Sequence, residues 1–384
     1  MAPGRLTRFF STKKTFKFAK LSKTLYPSVP PDFSRTPSLK FGTIHTPHMF
    51  QVDWSAEKGW EAPVIKPFEN LSVHPFNSSI HYAITAFDAM KAYKDSQGKL
   101  RLFRPEEHAS RFRESCERAS LPTFEVKEFL ECLYEFVRVE SDWVRQDKNF
   151  SLYLRPVAMS TTNVLGVKAP ESSTVYIVAC PSTDYWSLLK TDDKGNDKIT
   201  GLRLAVNEDY WRGNPYSACQ YKLSANYAPT IAITKKLHAI GFSQAIWTFE
   251  ESLLESGATN LFFVVQNKAE KELVTHPLDH SILPGVVRDS ILSLAKQVDP
   301  SIKISERPFK IPEFIQRHND GSILEVFVSG TGALLGPVET LRIREKDYHL
   351  DMTPERGQFG TKMLELLRAI QYGEVEHKFS KVIT

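Results

Sequence analysis

Lys222 sits in Tyr221-Lys222-Leu223-Ser224-Ala225-Asn226-Tyr227, a stretch whose small residues would let a flat ring lie close to the backbone. Two further features follow it. Glu255, in Leu254-Glu255-Ser256-Gly257-Ala258-Thr259-Asn260, precedes an apolar run and can hold a protonated ring nitrogen. Leu283-Pro284-Gly285-Val286-Val287-Arg288 reads as a helix start with Pro284 in the first turn, which frees the N–H groups of Val286 and Val287 for an anion. One amine, one carboxylate and one anion site in a single segment point to amino-group chemistry on a phosphorylated pyridine aldehyde. The amine would form a Schiff base and then move a proton as base and acid, while the carboxylate keeps the ring able to take up electrons. Each piece alone reads first as something plainer: a solvated lysine, an exposed loop acid, a capped helix. Arg111 can bind phosphate through two N–H groups, and with Arg113 and Arg118 nearby it also fits an ordinary helix surface.

At 384 residues with 41% hydrophobic and 24% charged residues, the chain suits two soluble domains. The net charge of +4 comes from its beginning. Arg5, Arg8, Lys13, Lys14, Lys17, Lys20 and Lys23 all precede the first acidic residue, Asp32, and the remainder is slightly acidic, which disfavours a nucleic-acid partner. Residues 1–31 are rich in Ser and Thr, and Leu6, Phe9, Phe10, Phe16, Phe18 and Leu21 could share one helical face. That is the composition of a mitochondrial transit peptide, with an early processing site at Arg8-Phe9-Phe10-Ser11; the alternative is a disordered basic tail on a cytoplasmic protein. No 18-residue apolar run suggests a membrane span. Cys116, Cys132, Cys180 and Cys219 are scattered without a CxxC pair, so neither a disulfide framework nor a metal site is expected.

Helical spacing predicts helices over Glu107–Ser120, Val126–Val144, Tyr227–Ile240, from Pro284 onward, and over Gly357–Tyr372. Strands are expected at Ser151–Val157, Thr174–Ala179, Leu202–Val206, Ala245–Phe249, Leu261–Val265 and Leu324–Val328. The polar stretch around Thr191-Asp192-Asp193-Lys194-Gly195-Asn196-Asp197 reads as a linker. An α/β or α+β protein follows, with a small domain over 32–182, a linker over 183–199 and a larger domain over 200–384.

The motifs FGTIHTPHMFQVDW, GWEAPVIKP, VHPFNSSIHYAITAF, LYLRPV, YKLSANYAPT, ILPGVVR and VSGTG, in this order from Phe41 onward, resemble the class IV aminotransferases that use pyridoxal phosphate. Among them the likeness is to the eukaryotic branched-chain aminotransferases. The resemblance implies the type IV fold of such enzymes: a small α+β domain, then a larger domain with a β-barrel-like core, the cofactor between them, and a homodimer. It implies that Lys222 carries the cofactor, that Tyr227 bonds its 3′ oxygen and Glu255 its ring nitrogen, and that Arg111, Val286, Val287 and Thr331 hold the phosphate. Tyr82, Phe87, Tyr153, Arg155, Thr331 and Gly332 become the substrate contacts. Leucine, isoleucine and valine would exchange their amino groups with the glutamate/2-oxoglutarate pair in a ping-pong cycle, with Arg155 meeting glutamate's distal carboxylate. An apolar pocket separates methylenes by only about 1–3 kcal/mol, so the three aliphatic substrates should be poorly distinguished.

The sequence departs from the family pattern in places. Phe87-Asp88-Ala89 stands where Phe-Glu-Gly is usual, Ala258 and Gly332 replace residues that commonly help hold the substrate carboxylate, and Arg212–Gln220 lacks the usual glycine-rich form. Ala333 and Gly336 occupy the positions of a CxxC known in animal members. These changes leave two other readings open: a related enzyme with another substrate, such as a D-amino-acid transaminase or an aminodeoxychorismate-lyase-like protein, and a catalytically silent binding protein.

Overall fold

The computed structural model describes residues 15–27, 30, 40–183, 189–191, 197–210, 212–353 and 358–383. Two β-systems organise them. The first is a sheet built on the long antiparallel pair Ser151–Ser160 and Ser172–Ser182, in register from Ser151↔Ser182 to Ser160↔Ser173. His48–Ser55 and Val64–Pro67 extend it on one side, Met90–Lys94 and Leu100–Phe103 on the other. Alternation along Ser151–Ser160 divides its side chains between two faces. Leu152, Leu154 and Ala158 enter a core shared with Phe112, Phe129, Leu133 and Phe136 of the helices Pro105–Arg118 and Val126–Val139. Tyr153, Arg155 and Val157 face the other way, into a cavity.

The second system is a closed six-stranded barrel. Leu202–Asn207, Gln244–Phe249, Ser252–Ser256, Thr259–Asn267, Ile323–Gly330 and Leu334–Ile343 pair in a ring completed by Ser252–Ser256 against Thr259–Asn267 and by Leu334–Ile343 against Leu202–Asn207. The apolar run of Thr259–Asn267 follows from burial on both faces. Leu261, Phe263 and Val265 pack in one core with Leu204 and Ile246, whereas Phe262 and Val264 pack under Val286–Val298 and Gln358–Gln371.

Four details differ from the sequence expectation. Thr15–Lys23 belongs to the first body: Phe16 is 2% exposed against Phe50, Trp60 and Phe124, and Ser22–Lys23 pairs with Val64 and Ile65. Of the apolar residues expected on one face of a leader or tail running to residue 31, Phe16, Phe18 and Leu21 pack on this core. The proposed processing site at 8–11 lies outside the described residues. Within the expected linker, Leu189–Thr191 and Asp197–Ile199 form an antiparallel pair. The closing strand Ser380–Ile383 leaves the barrel and joins Leu100–Phe103 in the first sheet. Finally, Pro284 is not helical: the helix runs Val286–Val298 with Gly285 as its N-cap.

Candidate active site

Between the cavity face of the sheet and one end of the barrel lies a cavity of about 580 Å³, within the range of small-molecule sites. The sheet contributes Phe87, Tyr153, Arg155 and Val157; the barrel side contributes Ala258–Asn260, Gly285–Val287 and Ser329–Ala333. Arg111, Lys222 and Tyr227 complete the wall.

Lys222 lies where the two bodies meet. Its backbone N–H donates to Ser115 Oγ at 3.0 Å, and its carbonyl accepts from the N–H of Phe87 at 3.1 Å. Both ends of the peptide are thus held by the first body, while the side chain points into the cavity. Nζ lies 3.2 Å from the Tyr227 hydroxyl and 5.1 Å from the centre of the Phe87 ring.

Glu255 stands under the barrel side of the cavity, behind Asn260 and Leu283, 2% exposed. Oε1 accepts from the N–H of Leu283 at 2.8 Å and lies 3.4 Å from Asn260 Nδ2. Oε2 lies 3.1 Å from Arg212 Nη1, but the two are misaligned and neither atom makes a hydrogen bond. Burial pushes the Glu255 carboxyl up, against the opposing charge of Arg212 and the Leu283 N–H. A buried carboxylate oxygen without a donor fits the N–H of a pyridinium ring.

The candidate anion site is the first turn of Val286–Val298, whose N–H groups have no acceptor within the helix. Gly285 is required there by close approach: a Cβ would fall 2.0 Å from Asn260 Oδ1. Asn260 in turn donates to the Leu283 carbonyl at 3.0 Å, which ties the helix start to the barrel. Arg111, 8% exposed, donates from Nη1 to the Pro284 carbonyl at 3.0 Å and reaches the same turn from the first body. Thr331 and Gly332 form the turn after Ile323–Gly330, and Lys91 Nζ holds the Gly332 carbonyl at 2.7 Å.

The cavity wall on the sheet side is mixed. Arg155 Nη2 donates to the Tyr153 hydroxyl at 2.8 Å, and its guanidinium carbon lies 4.7 Å from the centre of the Phe87 ring. Its Nε is buried without a partner. Phe87, Val157 and the Tyr153 ring supply apolar surface beside this cation.

Of the residues expected from sequence, the structure gathers Lys222, Arg111, Tyr227, Val286, Val287, Thr331, Gly332, Phe87, Tyr153 and Arg155 around the cavity, with Glu255 beneath it. Tyr82 is not brought to this cavity: it ends the short helix Ser78–Tyr82, is 37% exposed and bonds the Leu165 carbonyl. Sequence reasoning missed Asp88, Arg212, Asn260, Gln244 and Phe41. Asp88 carried a usable signal, a lone charge inside the apolar run Ala86–Met90, since a charge in such a run must be paired.

The chain matches the family model described as amino-transferase class IV over residues 85–341. It is 37% identical to the cytosolic branched-chain-amino-acid aminotransferase of Saccharomyces cerevisiae, covering 95% of this chain and 96% of that one. With the branched-chain-amino-acid aminotransferase of Dictyostelium discoideum it shares 34% identity, covering 99% of each. Among solved structures, the branched-chain amino acid aminotransferase of Escherichia coli superposes with a TM-score of 0.67 at 22% identity, over 87% of this chain and 99% of that one. The Thermobaculum terrenum enzyme in its PLP-form gives 0.68 at 19% identity, over 88% and 99%. The match to the family model over residues 85–341 and the whole-length match to relatives at this identity place the chain in the class IV aminotransferase family.

Proposed function

We propose that this protein is a branched-chain L-amino-acid transaminase that uses pyridoxal phosphate to move the amino group of leucine, isoleucine or valine to 2-oxoglutarate, reversibly. The observation that carries the reading is that Lys222 and the Val286 helix start line one cavity, with Glu255 directly behind its wall at Leu283 and Asn260, in a chain whose full-length relatives bear that name.

When bound, pyridoxal phosphate supplies an aldehyde that condenses with amines and a ring that takes up the electron pair left at Cα. Val286 N–H, Val287 N–H and Arg111 bind its phosphate, and Thr331 stands at the same side. Glu255 Oε2 holds a proton at the ring nitrogen. Lys222 Nζ would take the proton from the substrate Cα and carry it during the transfer, and the Tyr227 hydroxyl would fix where that amine sits. Phe87, Val157 and the Tyr153 ring keep water from an aliphatic side chain. Arg155 offers a charged donor when the side chain is that of glutamate, which would otherwise bury an unpaired carboxylate at a cost of several kcal/mol.

The protein acts as a homodimer in this reading, and its basic beginning directs it to mitochondria, although named relatives occupy either compartment. Steady-state rates with a panel of amino donors test the assignment. Turnover of leucine, isoleucine and valine with 2-oxoglutarate is expected; no turnover of leucine and isoleucine beside activity on another donor would overturn it.

A further inference from the structure

Asp88 follows the strand Thr85–Phe87 and is fully buried between Phe87 and Ala89. A carboxylate taken out of water needs compensating donors. Asp88 meets the Ala89 N–H at 2.7 Å, His108 Nδ1 at 3.0 Å, Arg111 Nε at 2.8 Å and Arg111 Nη2 at 2.7 Å. Burial alone would raise its pKa, but the charge of Arg111 and the bonds from His108 and Arg111 outweigh it and hold the carboxyl well below the usual range. The Oδ2–Nε and Oδ1–Nη2 contacts form a two-point grip that fixes the plane of the guanidinium. A guanidinium has five N–H donors. Asp88 takes one from Nε and one from Nη2, the Pro284 carbonyl takes one from Nη1, and Nη2 also lies 3.3 Å from His108 Nδ1.

We propose that Asp88 is the positioning residue of the phosphate site: its grip on Nε and Nη2 turns the outer edge of Arg111 toward the phosphate and toward Pro284. The inference rests on the pyridoxal phosphate reading of the cavity. It assigns a task to the residue at which this chain has Asp in place of the family's usual Glu. It also changes how the phosphate is held. Because Asp88 neutralises Arg111, attraction comes from aimed N–H groups of Arg111, Val286 and Val287 more than from net positive charge. Arg104, at the N-cap of Pro105–Arg118, braces the same helix turn through Asp289 at 2.6 Å and Ser290 at 2.9 Å, yet it does not line the cavity. Of these two arginines, the one held by Asp88 lines the cavity.

Titrating the protein stripped of cofactor with pyridoxal phosphate, with pyridoxal, and with inorganic phosphate as competitor separates positioning from general damage. Asp88→Asn is expected to weaken pyridoxal phosphate by about tenfold or more and pyridoxal by less than about twofold, with phosphate competition weakened in parallel. Equal losses for both ligands, or no loss for pyridoxal phosphate, would overturn the proposal. Should Asp88→Asn not fold, the double variant Asp88→Asn/Arg111→Gln removes both buried charges together. Its preference for the phosphorylated ligand is expected to equal that of Arg111→Gln alone, and a further drop would overturn the proposal. If the unsubstituted protein binds neither pyridoxal compound, the cofactor reading itself fails and the inference with it.

Discussion

The Tyr227 hydroxyl lies 3.2 Å from Lys222 Nζ, so one phenol addresses the amine to which we assign the chemistry. Tyr227→Phe removes a bond to that amine without removing the ring. Turnover with leucine is expected to fall by about tenfold to a hundredfold while the cofactor stays bound. Single-turnover rates alongside the visible spectrum of the bound cofactor check this, and an unchanged rate would show that the hydroxyl has no part in the reaction.

Arg155 is stacked near Phe87 and bonded to Tyr153, with its Nε unpartnered. Its replacement by an apolar residue should cost glutamate far more than leucine. For Arg155→Met we expect kcat/KM for glutamate to fall by about a hundredfold, corresponding to a lost charged pair of about 3 kcal/mol, and that for leucine by less than about fivefold. Equal losses would place the distal carboxylate elsewhere.

Phe16 is 2% exposed within an aromatic group that includes Phe50, Trp60 and Phe124. Phe16→Ala should destabilise the first body by about 3–5 kcal/mol. A chain beginning at Asp32 loses Phe16, the Ser22–Lys23 strand and the Lys17–Glu128 ion pair together, and is expected to be less stable still. Urea unfolding of the two variants measures both effects, and stability equal to that of the full chain would mean that the segment does not support the core.

Glu272 offers a pH test of the barrel side. Burial raises its pKa, but bonds from Arg307, Ser305 and Asn267 outweigh it and lower the carboxyl to about 2 from an ordinary 4.5. A depressed pKa adds stability above the unfolded value, and that contribution disappears as pH falls through the folded value. The stability gap between the unsubstituted protein and Glu272→Gln should therefore be full above pH 4.5 and narrow toward pH 2. Urea midpoints across that window check the sign; a gap that does not change with pH would contradict it.

Much of the site was legible because its chemistry depends on residue type. Lys222, Glu255 and the Val286 turn could be read from one segment, and the period-two run at Ser151–Ser160 carried Tyr153 and Arg155 to the cavity face. What escaped was contact across the two bodies. Nothing in the spacing of Asp88 and Arg111 says that one grips the other, and Arg212 lay in a segment read as a departure although it reaches Glu255. Pro284 was placed two residues too far into the helix, which starts at Val286, and its carbonyl instead accepts from Arg111. The basic, aromatic beginning was read for its composition, and only tertiary packing shows that Phe16 belongs to a core. Strand pairings such as Ser380–Ile383 with Leu100–Phe103 join distant segments and leave no local trace.

The central claim is that Lys222 carries the cofactor. Borohydride reduction of the protein loaded with pyridoxal phosphate, followed by digestion and mass spectrometry, tests it most directly. The label is expected on the peptide containing Lys222, and prior addition of excess leucine should remove it by converting the cofactor to its amine form. A label on another lysine, or none at all in a protein that binds the cofactor, would contradict the account.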